Sequence, residues 1–412
     1  MQTPASVLFV WLRLILAIMI LGGGAWALHA WYHDVTTPVP ILLSPDPVGF
    51  ADATLPPRVK PGPPRGWQPG WNRQTGLLVL GSLLLLFSFG GSWINPRLWL
   101  QSGEPVPELA GGTSHRLRRD DGTELFIEIF GPDDGPTVIA THGWGTDRRE
   151  WTYVRHRCPG ARLVVWDLPG CGRSTRAADD DYSLEKFARD LRAVIDVSGV
   201  TPVALMGHSI GGMTILTFCR LFPDLLGSRV SGLVLAHTTY KNPVRTMPFS
   251  GLLTAIERPL IIPLLYLQIL LSPIVWLSNC LSYLNGSVHW SNTSTGFGGT
   301  ESAAKLDFVS RYSLQNSRAV LARGCLGMLD YDATATLPMI KIPTLIIAGE
   351  QDPVTPRSAS DVIAQGVRDS TLKPLNPAKH YGFLEHDGDF ADALLAFCSR
   401  GAEAGKPVTV PA

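Results

Sequence analysis

The stretch VALMGHSIGGMTILTFCR, from Val203 to Arg220, carries an apolar β-rich run into a helical pattern across the tight turn Gly207-His208-Ser209-Ile210-Gly211-Gly212. The turn reads G-x-S-x-G, and its setting matters more than its letters. A serine on a sharp strand-to-helix turn needs small neighbours on both sides, so Gly207 and Gly211 relieve the crowding while the hydroxyl is pushed out above the sheet. The helix that begins beyond it stabilises negative charge developing near Ser209. Glycines in such a turn also serve close packing or a phosphate cradle. Here, however, strand and helix both stand where a serine-presenting turn requires them.

Outward from this turn the pattern repeats. Short β-rich runs read as strands in ELFIEIF (Glu124 to Phe130, alternating as if one face were wet), PTVIATHG (Pro136 to Gly143), ARLVVWD (Ala161 to Asp167), TPVALMGHS (Thr201 to Ser209), SGLVLAH (Ser231 to His237) and IPTLIIAGE (Ile342 to Glu350). Between them LEKFARDLRAVIDVSGV and MTILTFCRLFPDLLG read as helices. Nearly all-apolar strands separated by helices imply an α/β domain, with a mostly parallel sheet covered by helices on both faces. It begins near Ser114.

A serine hydroxyl is a poor nucleophile at neutral pH and needs a base held in the right tautomer by a third group. Asp352 follows the last strong apolar strand in LIIAGEQDPVTP, and His380 lies in NPAKHYGFLEH ahead of the final helix, DFADALLAFCSR. The chain order is serine, acid, histidine. With these motifs in place, roughly Ser114 to Arg400 resembles the α/β-hydrolase superfamily, in its serine esterase and lipase-like branch.

The resemblance implies roles. His380 precedes Tyr-Gly-Phe-Leu-Glu385, the pattern that follows the base in that family, so His380 is the expected base, with His386 as rival. Asp352 is the expected orienting acid, with Glu350 as rival. Thr141-His142-Gly143-Trp144-Gly145 resembles the oxyanion-hole segment, whose backbone donors would be Trp144 and Ile210. The Trp144 ring would also wall the acyl site, and His142 would shape the loop by hydrogen bonding. In WDLPGCGRST, Trp166 to Thr175, Asp167 reads as a turn residue and Cys171 as no nucleophile. The implied chemistry is ester hydrolysis through an acyl-serine, on medium or long acyl esters such as monoacylglycerols, with no metal or organic cofactor. Acyl transfer to an alcohol on the same triad is the second reading, and a catalytically idle interaction module the third. A serine at this turn disfavours the branches that use aspartate there.

Composition turns the reading towards membrane. The 412 residues hold 35 basic and 35 acidic side chains, and this zero net charge leaves no electrostatic footprint for nucleic acid. Charged residues make up 17%, against about 25% in soluble domains. Six scattered cysteines with no CxxC spacing suit a cytosol-facing domain.

Residues 1–113 read as a membrane anchor in contact with lipid. Val7 to Leu28 is apolar and long enough to span, with Arg13 able to snorkel, and it is too long and lacks the basic leader for a signal peptide. Gly76 to Ile94 is uncharged and bounded by Arg73 and Arg97. The proline-rich residues 31–72 between them read as an extended linker. No Lys or Arg follows Arg13 until Arg58, so the positive-inside rule expects a cytoplasmic N-terminus, two spans and a cytoplasmic catalytic domain.

The α/β core is expected over 114–238 and 336–400, with an apolar cap over 239–335 and a tail over 401–412. Within the cap, Pro259 to Leu284 is as apolar as a third span. A single crossing there would leave Ser209 and Asp352 on opposite sides of the bilayer. The segment is therefore read as broken helices lying in the interface, with breaks at Pro259, Pro263 and Pro273, and SNTSTGFGGTES after it as a flexible gate.

Overall fold

Buried apolar strands dominate the architecture, and a computed structural model describes them within residues 3–43, 59–99, 103–199 and 202–404. The strands are β1 (Thr113–Arg118), β2 (Glu124–Phe130), β3 (Thr137–Thr141), β4 (Arg162–Trp166), β5 (Val203–His208), β6 (Val230–Ala236), β7 (Thr344–Gly349) and β8 (Ser370–Leu375). They form one eight-stranded sheet in the order 8-7-6-5-3-4-2-1. Pairing is antiparallel for β1 with β2 and β2 with β4, and parallel elsewhere. Every residue of β3, β4, β5 and β7 is buried, as a sheet covered on both faces requires.

The two edge strands escape a reading based on apolar runs. β1 is TSHRLR and almost fully exposed, while β8 is STLKPL with Pro374 inside it. Edges tolerate charge and proline because one side of the ladder is left unpaired, and both features blunt aggregation. The wet face expected of β2 is absent. Glu128 is buried and ion-paired with Arg148, so the carboxylate satisfies the strand's inward polar position.

The described amino-terminal part is a helical hairpin. α1 (Val7–Thr36) and α2 (Arg73–Trp99) are longer than the apolar runs alone. They pack through small residues: a Cβ on Gly24 would press on Leu84 and Leu85, and one on Gly81 would strike Leu28. The linker departs from expectation, because Pro38–Leu42 pairs antiparallel with Val59–Pro64 as a ribbon. Residues 44–58 of that linker and 405–412 of the expected tail lie outside the described residues. Among the described residues, three helices could cross a membrane by length and composition, at Pro4–Thr36, Arg73–Ile94 and Ser250–Leu270.

In the sheet's cover, α3 (Leu184–Ser198) is capped by Ser183 and ends at Gly199, whose φ of 68° a side chain would strain. α4 (Ile210–Leu221) is the helix after the serine turn. The cap then comprises α5 (Ser250–Ile256), α6 (Ile262–Leu270), α7 (Ser272–Leu284), α8 (Ser287–Gly296), α9 (Ala303–Gln315) and α10 (Arg318–Gly327). Its breaks differ in part from those expected. Pro259 sits in a π-helical turn, Glu257–Ile261, and the chain bends at Leu271 just before Pro273. Pro263 causes no break, because the chain passes from that π-helical turn straight into α6 and stays helical through it.

The expected gate is also tied down. Ser291 to Gly296 are helical, Phe297 is fully buried, and the amides of Gly298 and Thr300 donate to Glu385 at 2.7 Å each. The start of the chain folds against the cap as well. Thr3, Ala5 and Val7 are buried, and Trp11 Nε1 donates to the Leu264 carbonyl at 3.3 Å.

Candidate active site

Ser209, Asp352 and His380 each follow the carboxyl end of a parallel strand, so the sheet delivers all three to one edge. Ser209 has φ 54° and ψ −115°, a left-handed elbow. A side chain held there costs about 1–3 kcal/mol unless its surroundings over-determine it. They do so here. The Ser209 amide donates to Ala236, while the Ser209 carbonyl accepts from Met213 N at 3.1 Å and Thr238 Oγ1 at 2.6 Å. The flanking glycines have no room for a Cβ: one on Gly207 would lie 2.4 Å from Gly211, and one on Gly211 would lie 2.2 Å from the Thr141 oxygen.

His380 Nδ1 lies 2.8 Å from Asp352 Oδ2. The same oxygen accepts from Thr355 Oγ1 at 2.8 Å, and Oδ1 accepts from the amides of Val354 at 2.7 Å and Thr355 at 3.0 Å. Burial alone would raise the Asp352 carboxyl. The facing His380 and His237 rings and the hydrogen bonds outweigh it and hold the group well below the usual carboxylate range. Burial lowers the His380 pKa against the opposing pull of Asp352, so the ring is neutral with its proton on Nδ1. Its Nε2 is buried and has no partner among the described residues, and no hydrogen bond joins it to Ser209 in this resting state. Such bonds commonly form only when substrate binds.

The rivals lie elsewhere. His386 Nε2 bonds the Pro377 carbonyl, and exposed Glu350 pairs with Arg357. His142 accepts from Leu168 N at 2.9 Å through Nε2, leaving Nδ1–H for the Gly143 carbonyl at 2.8 Å, and so shapes its loop. Asp167 accepts from the amides of Arg148 and Arg173, and Cys171 is buried with its thiol pKa raised by that burial.

Ile210 opens α4, so its amide has no intrahelical acceptor. Trp144 stands in the facing loop, but its ring is no wall of the site. Nε1 donates to the Leu321 carbonyl at 2.9 Å, and the indole packs on Phe187 and Tyr182. A Cβ on Gly324 would lie 2.1 Å from that ring. Gly324→Val is therefore expected to destabilise the fold by about 1–3 kcal/mol and to displace the Trp144 loop. A thermal melt together with kcat on one ester checks this, and an unchanged melting temperature would refute it.

Several residues of the site escaped the sequence reading. His208 lies 3.2 Å from Glu150 Oε1 through Nδ1 and 3.0 Å from the His380 carbonyl through Nε2. Nε2 must donate to that carbonyl, which leaves Nδ1 facing the Glu150 carboxylate. Glu150 also accepts from Gly143 N at 2.9 Å, which links the Trp144 loop to the His380 loop through buried polar bonds. His237, at φ 44°, accepts from Gly349 N at 3.2 Å and lies 3.6 Å from Asp352. The available signals were histidines at the ends of two apolar strands and a threonine three residues after the acid.

The alpha/beta hydrolase fold family matches residues 136–387, and the chain belongs to that family. A Variovorax paradoxus protein named for carbamate hydrolysis, RutD, is 28% identical over 289 residues, which are 69% of this chain and 99% of that protein. An esterase from Exiguobacterium antarcticum superposes with a TM-score of 0.56 at 22% identity, covering 70% of this chain and all of its own. A bacterial membrane phospholipase A superposes with a TM-score of 0.56 at 20% identity, covering 71% and 87%. Family and relatives together support hydrolase activity.

Proposed function

We propose that the chain is a membrane-anchored serine hydrolase that cleaves carboxylic esters, lipophilic or acylglycerol-like, through an acyl-serine intermediate. The observation that carries this reading is the Ser209 elbow at the sheet edge shared with a His380–Asp352 pair whose Nε2 is buried and unpartnered. Ser209 Oγ attacks the ester carbon as His380 Nε2 takes its proton, and Asp352 steadies the imidazolium. The backbone amides of Trp144 and Ile210 receive the oxyanion. His380 returns the proton to the leaving alcohol, and water then releases the acid by the same route.

Membrane attachment is supported by large apolar side chains left exposed on one hairpin and one cap. Leu12, Met19 and Leu86 are more than half exposed on α1 and α2, while Phe249, 83% exposed, and Leu270, 75% exposed, stand on the cap. Such surface is costly in water and suits acyl chains. An antiparallel hairpin also returns the chain to the side from which it set out, in keeping with a catalytic domain on the same cytoplasmic side as the N-terminus. Purified protein assayed on a graded series of p-nitrophenyl esters and monoacylglycerols tests the substrate class, and activity confined to the shortest esters would overturn the lipophilic part.

The pH profile gives a second test. His380 must be neutral to accept the proton, and burial sets its pKa below 6.5. Activity is full above the folded pKa and is lost as pH falls through it, so kcat/KM is expected to drop with a midpoint below 6.5. A midpoint above the ordinary histidine value would contradict a buried neutral base.

A further inference from the structure

Between the first turns of α1 and the cap lies a cavity that is partly open to solvent. Arg13 of α1 and Arg318 of α10 both line it, and none of its lining residues is acidic. Neither guanidinium forms an ion pair among the described residues. Arg318 is only 2% exposed, bonds the Ser313 carbonyl through Nη2 and leaves its Nε without a partner. Arg13 Nε is likewise buried and unpartnered, as are the hydroxyls of Tyr312 and Ser313 on the same wall. Hydrogen-bond donors thus converge on a space that supplies no anion.

A buried charge without a partner is strongly unfavourable. Burial and then the neighbouring Arg13 bring the Arg318 pKa down to about 9, which marks how poorly the pair is compensated. Guanidinium groups favour phosphate and carboxylate oxygens through bidentate bonds. The cavity's other walls point to the rest of the molecule it would hold. Apolar Val10, Val288 and Leu321 line it, and it reaches Gly145 and Val354. Gly145 follows Trp144, and the Val354 amide donates to Asp352, so the cavity's far wall is formed by the loops that carry Trp144 and Asp352.

We propose that this cavity holds the anionic headgroup of the substrate, so that the ester cleaved at Ser209 belongs to an amphiphile bearing a phosphate or carboxylate group. This rests on the hydrolase reading above and narrows it. The full-length protein in neutral detergent provides the test, with dodecyl phosphate, dodecanoate, dodecanol and inorganic phosphate as thermal-shift probes. Dodecyl phosphate or dodecanoate is expected to raise the melting temperature where dodecanol does not. Arg318→Gln and, separately, Arg13→Gln are expected to abolish the shift, with Arg318→Lys retaining part of it.

In kinetics, KM for a lysophosphatidic acid is expected to lie at least about tenfold below that for the monoacylglycerol of the same chain, since charge-assisted hydrogen bonds are individually worth that much. Either arginine-to-glutamine variant should remove the difference in KM between the two esters. Equal KM values in the unmodified protein, or the same shift from inorganic phosphate alone, would overturn the headgroup assignment. Fluorophosphonate labelling of Ser209 separates the two ideas. Labelling with no anion preference sinks the cavity proposal alone, whereas a dodecyl phosphate shift with no labelling and no ester turnover sinks the hydrolase reading and leaves the anion site standing.

Discussion

Ser209→Ala in the full-length protein is expected to lower kcat by about four to six orders of magnitude and to abolish fluorophosphonate labelling. Only Oγ is lost. The bonds that fix the elbow use the backbone of residue 209, from Ala236, Met213 and Thr238, so the turn should keep its geometry. Alanine meets the same strain as serine at φ 54°, and the two folds should melt alike. Burst kinetics with a p-nitrophenyl ester would report the acyl-enzyme directly. Equal turnover by both forms would exclude Ser209 as nucleophile and with it the mechanism proposed here.

Asp352→Asn is expected to lower kcat by about four orders of magnitude, the size of loss seen when the triad acid is neutralised in other serine hydrolases. The direction follows from the bond pattern. Oδ1 accepts two backbone amides, from Val354 and Thr355, so the asparagine oxygen would remain on that side. Its NH2 would then face His380 Nδ1, which must give up its proton to accept. The proton moves to Nε2, where the lone pair that should take the serine proton is lost. Glu350→Gln and His386→Ala supply the contrast: Glu350 pairs with Arg357 and His386 bonds the Pro377 carbonyl, both away from Asp352, and each variant should leave kcat within about twofold. A variant at Glu350 as damaging as one at Asp352 would mean that the acid is misassigned.

How much of the site could be read before folding depends on how local each constraint is. The serine elbow is written in consecutive residues, because a strand, a small-residue turn and a helix leave one backbone path and one direction for the hydroxyl. The same locality makes β3 to β7 legible as apolar runs. It fails for β1 and β8, whose edge positions admit Arg, Lys and Pro. It fails again for Glu128 and Trp144, where a polar side chain on a strand and an aromatic ring on a loop both turned inward to partners far along the chain. His208 and Glu150 are 58 residues apart, and neither carries a local mark of the other.

Periodicity, turn chemistry and motif order in this chain therefore settled the α/β class, the position of Ser209 at the end of a buried strand and the apolar character of the amino-terminal helices. Only the tertiary structure brought His380 rather than His386 against Asp352, joined the Trp144 loop to the His380 loop through Glu150 and His208, and set Arg13 beside Arg318 with no acid between them. The reason is one of range. Backbone geometry and hydrophobic period act over a few residues, whereas a histidine's partner or an arginine's missing counter-charge is defined only after segments hundreds of residues apart have packed and excluded water.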